Sequence, residues 1–244
     1  MNPTIQQLFG RKSVRAFTEQ AILPKEKDMI LRAATQAPTA GNQQLYTILD
    51  ITDQTIKERL VDTCDHQPFI AEAKLVLIFC ADCRKWYDAF CAAGCEPRRP
   101  GVGDLLLAVS DANIAAQNAV TAAQSLGIGS CYIGDIMENC EAQRRLLHLP
   151  EYVFPAAMLV FGYPTQQQLA RQKPERAAMR HIVHENGYRV MDGEELKEMF
   201  QPRCGVRTYE DWMQAFCERK FHSEFSREMT RSVGEYLKMF SAEE

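Results

Sequence analysis

The stretch from Asp104 to Leu126 restricts the fold more than any other part of this chain. Asp104 caps a predicted helix that runs to Leu126, about 33 Å long at roughly 1.5 Å per residue. Ser110, Asn113, Gln117, Thr121 and Gln124 follow one another at steps of three and four and form a single uncharged polar stripe. Asp111 is the only charge inside the segment, so most of the helix circumference must avoid bulk water. One domain rarely surrounds so long a helix, and a subunit interface is the economical place for it. A central helix within one subunit is the alternative.

The rest of the chain supplies partners for such a helix. Pro24 opens a second helix, with Met29, Ile30, Ala33, Ala34 and Ala37 on one face, and Pro38 to Asn42 breaks it. Strands are predicted at Tyr46–Ile51, Lys74–Cys80, Ser130–Ile133 and Pro155–Phe161, and helices at 53–64 and 138–147. Gly127 ends the long helix as its left-handed cap, and Gly134-Asp135 forms a turn. Cys91 to Gly103 reads as a loop. Phe225, Met229, Val233, Leu237 and Phe240 form an apolar stripe near the C-terminus, read as a packing face. Helices and strands in this order define an α+β or α/β sandwich.

Hydrophobic residues make up 46% of the chain and charged residues 25%, which suits a soluble protein with a substantial core. The formal charge of -4 argues against a nucleic-acid partner, which calls for a broad basic face. The N-terminus lacks the pattern of a secretory signal and no apolar run is long enough for a bilayer, so the expected location is the cytoplasm and no membrane partner is expected. There the nine cysteines are expected as free thiols. Cys80, Cys83, Cys91 and Cys95 invite a zinc or redox reading, but Cys80 closes a predicted buried strand, and no metal is expected.

Positive charge gathers in two places: Arg11, Lys12, Ser13, Val14 and Arg15, and then Arg171, Lys173, Arg176 and Arg180. Two guanidiniums, an ammonium and a hydroxyl within five residues make a cradle for a phosphate; a solvated basic loop is the plain alternative. Gly127-Ile128-Gly129-Ser130 follows a helix and opens a strand, the reverse of a dinucleotide fingerprint. Arg98 and Arg99 are candidates for a nucleotide 2′-phosphate, or simply exposed loop charges.

Taken in order, the pentad, Ala37 to Gln44, Asp111 to Gln117 leading into Leu126–Gly129, Tyr132 to Asp135, and Arg171 to Arg176 resemble the FMN-dependent nitroreductase family. The resemblance spans about residues 3 to 190. It implies an α+β fold, a three-layer α/β/α sandwich with a mixed, mainly antiparallel sheet, over 1–190, and leaves 191–244 as a helical extension packing on the same domain or on the partner subunit. It also implies a homodimer with FMN at the interface, NAD(P)H as co-substrate, and a small-molecule electron acceptor such as a nitroaromatic, quinone or flavin. Hydride passes to the flavin and then to the acceptor in a two-step, ping-pong scheme without a catalytic side chain.

By position, the resemblance implies that Arg11, Lys12, Ser13 and Arg15 hold the phosphate and ribityl chain, with Lys173 and Arg176 closing on the phosphate. Pro38, Thr39, Ala40, Gly41 and Asn42 form the loop under the flavin of the partner, and Gln67 reaches the cofactor. Tyr132, Ile133, Gly134 and Asp135 lie against the ring, the backbone of Gly134 and Asp135 near N5. A small residue usually follows that glycine, so Asp135 is a departure. The rival readings are another flavin reaction on the same fold, such as dehalogenation, and a flavin-binding sensor or carrier with little turnover.

Overall fold

The computed structural model describes residues 1–241. The chain forms two compact units, Met1–Arg171 together with the residues from Glu228 onward, and Gln172–Arg227. The expected boundary at residue 190 falls inside the second unit, and the last three residues of the expected 191–244 extension lie outside the described residues.

The first unit is built on a four-stranded sheet of β1 (Tyr46–Asp50), β2 (Leu75–Asp82), β3 (Gly129–Ile133) and β4 (Val153–Gly162), in the order β1-β2-β4-β3. All three ladders are antiparallel, and the one parallel pairing among the described residues is an isolated bridge between Ser13 and Ser130. β2 and β4 are the central strands, and every residue of both is buried. That explains their unbroken apolar runs, since a strand covered on both faces has no solvent side to mark with polar residues.

The two faces carry separate cores. Leu75, Leu77, Phe79 and Ala81 of β2 pack toward α2 (Pro24–Thr35) and α6 (Val102–Ser125). Val76, Ile78 and Cys80 join Leu60 of α3 (Gln54–Thr63) and Phe69 and Ile70 of α4 (Phe69–Glu72). A register shift between Phe79 and Cys80 marks a bulge in the β2–β4 ladder. The result is the expected α/β/α layering.

α6 turns a face of small residues inward. Ala108, Ala112, Ala115, Ala116, Ala119 and Ala123 are all fully buried, and short side chains let the helix settle closely on the sheet and α2. This face of the helix is enclosed by the sheet and α2, while Leu106, Leu107 and Ile114 remain exposed at 62%, 53% and 40%. Its start also differs from expectation. Gly101 holds the cap position, and Asp104 is the third helical residue, accepting the Gly101 N–H at 2.8 Å and both guanidinium nitrogens of Arg98 at 2.6 and 2.9 Å.

Three short helices lie where the sequence pattern marks none: α4, α5 (Arg84–Ala92), which replaces the start of the expected Cys91 loop, and α8 (Gln166–Ala170). α7 (Cys140–Leu146) is shorter than the expected 138–147. The second unit holds α9 (Gly193–Phe200) and α10 (Tyr209–Lys220). The last helix, α11 (Glu224–Lys238), buries Ser232 and Tyr236 with Phe240 just beyond it, so its inner face is turned slightly from the expected stripe. Tyr236 meets Phe154 of β4 edge-on at 5.0 Å between ring centres. No helix among the described residues is long and apolar enough to cross a membrane.

Candidate cofactor site

The basic pentad follows α1 (Pro3–Gly10) and lies along β3 and β4. The Val14 N–H donates to the Ser130 carbonyl at 3.0 Å and the Thr18 N–H to that of Tyr163 at 2.8 Å. Two glycines allow the approach. A Cβ on Gly129 would stand 2.6 Å from Val14 Cγ2, and one on Gly162 2.6 Å from the Phe17 ring. With Val14 buried as an anchor, the flanking residues Ser13 and Arg15 are held beside β3.

Cys131 of β3 completes the cradle, and the sequence reading did not single it out. Burial pushes its thiol up, while hydrogen bonds from Ser13 and Arg15 and the charges of Arg15 and Arg11 pull the other way. Arg11 Nη1 is buried and has no hydrogen-bond partner. A guanidinium nitrogen left without an acceptor in such a place is costly unless an anion arrives. Lys12 is engaged differently: its ammonium donates to the Leu169 carbonyl at 2.7 Å and to that of Arg171, closing the end of α8. The Arg15 N–H donates to Gln168 Oε1 at 3.1 Å.

Tyr132 extends the site along β3. Burial pushes its phenol up to about 12, against the nearby Arg11 charge, and its hydroxyl stands 3.4 Å from Gln117 Oε1 on the polar stripe of α6. Ile133 is buried, and Gly134 and Asp135 open a short 3-10 turn through Met137. Burial, with the nearby Asp135 charge adding to it, pushes the Cys64 thiol up to about 12. The Gln67 side chain donates to the Cys64 carbonyl at 3.0 Å. The structure therefore brings the Gln67 turn and the Asp135 turn together.

The Pro38–Asn42 loop is held from elsewhere. Asp111, 3% exposed, accepts the Ala40 N–H at 3.1 Å, the Leu45 N–H at 3.2 Å and the Thr39 hydroxyl. Gly41 and Asn42 both sit at positive φ, 55° and 56°, which the tight turn requires. The one buried charge of the long helix is thus the fastening of this loop.

Lys173 and Arg176 belong to the second unit. Arg176 lines a cavity of about 850 Å³ with Arg180, His181, Arg203, Phe216 and Arg219. His181 is 6% exposed; its Nε2 stands 3.5 Å from Glu198 Oε2, and neither ring nitrogen makes a hydrogen bond. Arg98, a candidate from sequence for a 2′-phosphate, is instead committed to Asp104. Among the described residues no group of three or more His, Cys, Asp or Glu side chains is placed to hold a metal ion, and all nine cysteines are free thiols.

A two-faced antiparallel sheet with a basic cradle at its β3 edge defines an α+β scaffold with room for an anion, and comparison with known proteins names it. The nitroreductase family profile matches residues 8–163, and the chain belongs to that family. It is 34% identical over 220 residues to the oxygen-insensitive NADPH nitroreductase of Salmonella typhimurium, covering 87% of this chain and 88% of that protein. It is 28% identical to an FMN reductase [NAD(P)H] of Bacillus subtilis over 97% of this chain and 91% of the relative. Its fold matches the crystal structure of nitroreductase A from Vibrio parahaemolyticus with a TM-score of 0.84 at 26% identity, over 97% and 98% of the two chains.

Proposed function

We propose that this chain is an FMN-dependent oxidoreductase that uses NAD(P)H to reduce nitroaromatics, quinones or flavins, working as a cytoplasmic homodimer. The observation that carries the reading is the Arg11 guanidinium nitrogen, buried without a partner beside Ser13, Arg15 and Cys131. Such a group fits a doubly charged phosphate, to which each charge-assisted bond contributes about 1.5 to 3 kcal/mol. When bound, FMN supplies the two-electron carrier between nucleotide and acceptor.

The chain's own residues divide the remaining work. Arg11, Ser13 and Arg15 hold the phosphate. Tyr132, Ile133 and the backbone of Gly134 and Asp135 border the ring, with Gln67 beside them. The Pro38–Asn42 loop, made rigid by Asp111, serves the site of the partner copy. Exposed Leu106, Leu107 and Ile114 on α6 support the dimer, since such a patch on a soluble chain calls for a cover. The relatives' names, one for NADPH and nitro compounds and one for FMN, support the substrate classes.

Purified protein is expected to show the flavin absorption bands, to sediment as a dimer and to oxidise NAD(P)H faster when menadione is added. Arg11→Ala and Arg15→Ala are each expected to weaken FMN binding at least about tenfold, read by equilibrium dialysis. A colourless monomer in excess FMN defeats the proposal, and a yellow protein inert to both nucleotides points to the carrier reading.

A further inference from the structure

Six of the nine cysteines are buried, and Cys91, Cys95 and Cys217 are exposed. Cys217 alone of these three has a ring nitrogen in hydrogen-bonding reach among the described residues. Its Sγ stands 3.8 Å from His222 Nε2, and His222 Nδ1 stands 3.2 Å from Glu218 Oε1. All three residues are surface-exposed and belong to the second unit.

The end of α10 produces this arrangement. After Lys220 the helix stops, and the N–H groups of Phe221 and His222 both return to the Cys217 carbonyl, at 2.8 and 3.3 Å. The second bond folds residue 222 back over its own helix, which brings the imidazole to the sulfur five residues earlier. Glu218, four residues before His222, then takes the far ring nitrogen. A carboxylate on Nδ1 favours the tautomer protonated there and leaves the Nε2 lone pair facing Sγ. Nucleophile, base and orienting group are therefore in the order that activated thiols use. Lys220 and Arg219 flank the group in sequence, with their cations over the rings of Phe225 and Phe216.

We propose that Cys217 is a thiol–disulfide exchange site for small anionic disulfides such as oxidised glutathione. His222 Nε2 takes the thiol proton, and the Cys217 thiolate attacks one sulfur of the disulfide. A new S–S bond joins Cys217 to that half, and the old S–S bond breaks. The other half leaves as a thiolate and recovers the proton from His222, so Cys217 is oxidised as the small disulfide is reduced. The site does not depend on the flavin reading.

The test uses the full-length chain, reduced and desalted, then exposed at pH 7 to oxidised glutathione or, in parallel, to iodoacetamide. Peptide mapping by mass spectrometry follows each cysteine over time. Cys217 is expected to react at least about tenfold faster than Cys91 or Cys95 with both reagents. His222→Asn should remove that advantage, and Glu218→Gln should reduce it, with the circular dichroism spectrum unchanged. Equal rates at the three exposed cysteines overturn the proposal, as does a fast Cys217 that His222→Asn leaves fast.

Discussion

Two polar turns in the first unit are each fastened by a carboxylate from a distant helix, and they differ in what they leave undone. The loop at 39–45 delivers two backbone N–H groups and a hydroxyl to Asp111, so a buried charge is surrounded by donors. The turn at 135–140 receives α11 instead: Glu228 accepts the Asn139 N–H at 3.1 Å and Ser232 the Cys140 N–H at 2.9 Å. Yet Glu138, inside that turn and 6% exposed, keeps Oε1 without a partner. Burial, with Asp135, Asp65 and Glu228 nearby, pushes its carboxyl up to about 7. A buried carboxylate is well tolerated as an anion only where donors converge on it; elsewhere the proton stays.

Breaking the first fastening should have the largest effect. Asp111→Ala strands two backbone donors and is expected to cost on the order of 3 kcal/mol in urea unfolding, with Asp111→Asn milder because one acceptor oxygen survives. A wild-type cost for Asp111→Asn would remove the contrast between the two turns.

The second turn should reveal itself through pH. Glu138 has a folded-state value raised above its ordinary 4.5, so the folded protein holds a proton that the unfolded chain releases between there and about 7. That contribution to stability is complete below the ordinary value and is lost as pH rises through about 7. Glu138→Gln should flatten this part of the profile and gain about 1 to 2 kcal/mol at pH 8 relative to wild type. Parallel profiles for the two proteins would show that Glu138 does not titrate there.

A smaller effect tests the α11 fastening. Ser232→Ala leaves the Cys140 N–H without its acceptor at the start of α7 and should cost about 1 kcal/mol, the usual price of a lost helix cap. The same loss at pH 5.5 and pH 8 is expected, because the hydroxyl does not titrate in that range.

Local pattern carried the sheet and the long helix well. The four strands appear at their expected places because their apolar runs pack into the cores, β2 and β4 on both faces, and Gly127 ends α6 at φ 75° as a chiral residue rarely does. The pentad was legible as a gathering of positive charge because charge density is a local property. Short α4, α5 and α8 were not, since one or two turns of helix carry too little periodicity to stand out. Lys12 shows the same limit within the cradle: the residue type suits a phosphate, but its side chain is spent on the Leu169 and Arg171 carbonyls.

By itself, the amino-acid order determined where the four strands and the longer helices lie, that α6 must be sheltered, and that cations gather at residues 11–15. Only the tertiary structure decided what each polar group meets. Asp111 reaches Leu45 across 66 positions and Ser232 reaches Cys140 across 92, and Cys131 joins Ser13 and Arg15 because Gly129 lets Val14 close on β3. Hydrophobic periodicity is written along neighbouring residues, whereas a hydrogen bond is a relation between surfaces that exists only once the sheet has brought them within 3 Å or so of each other.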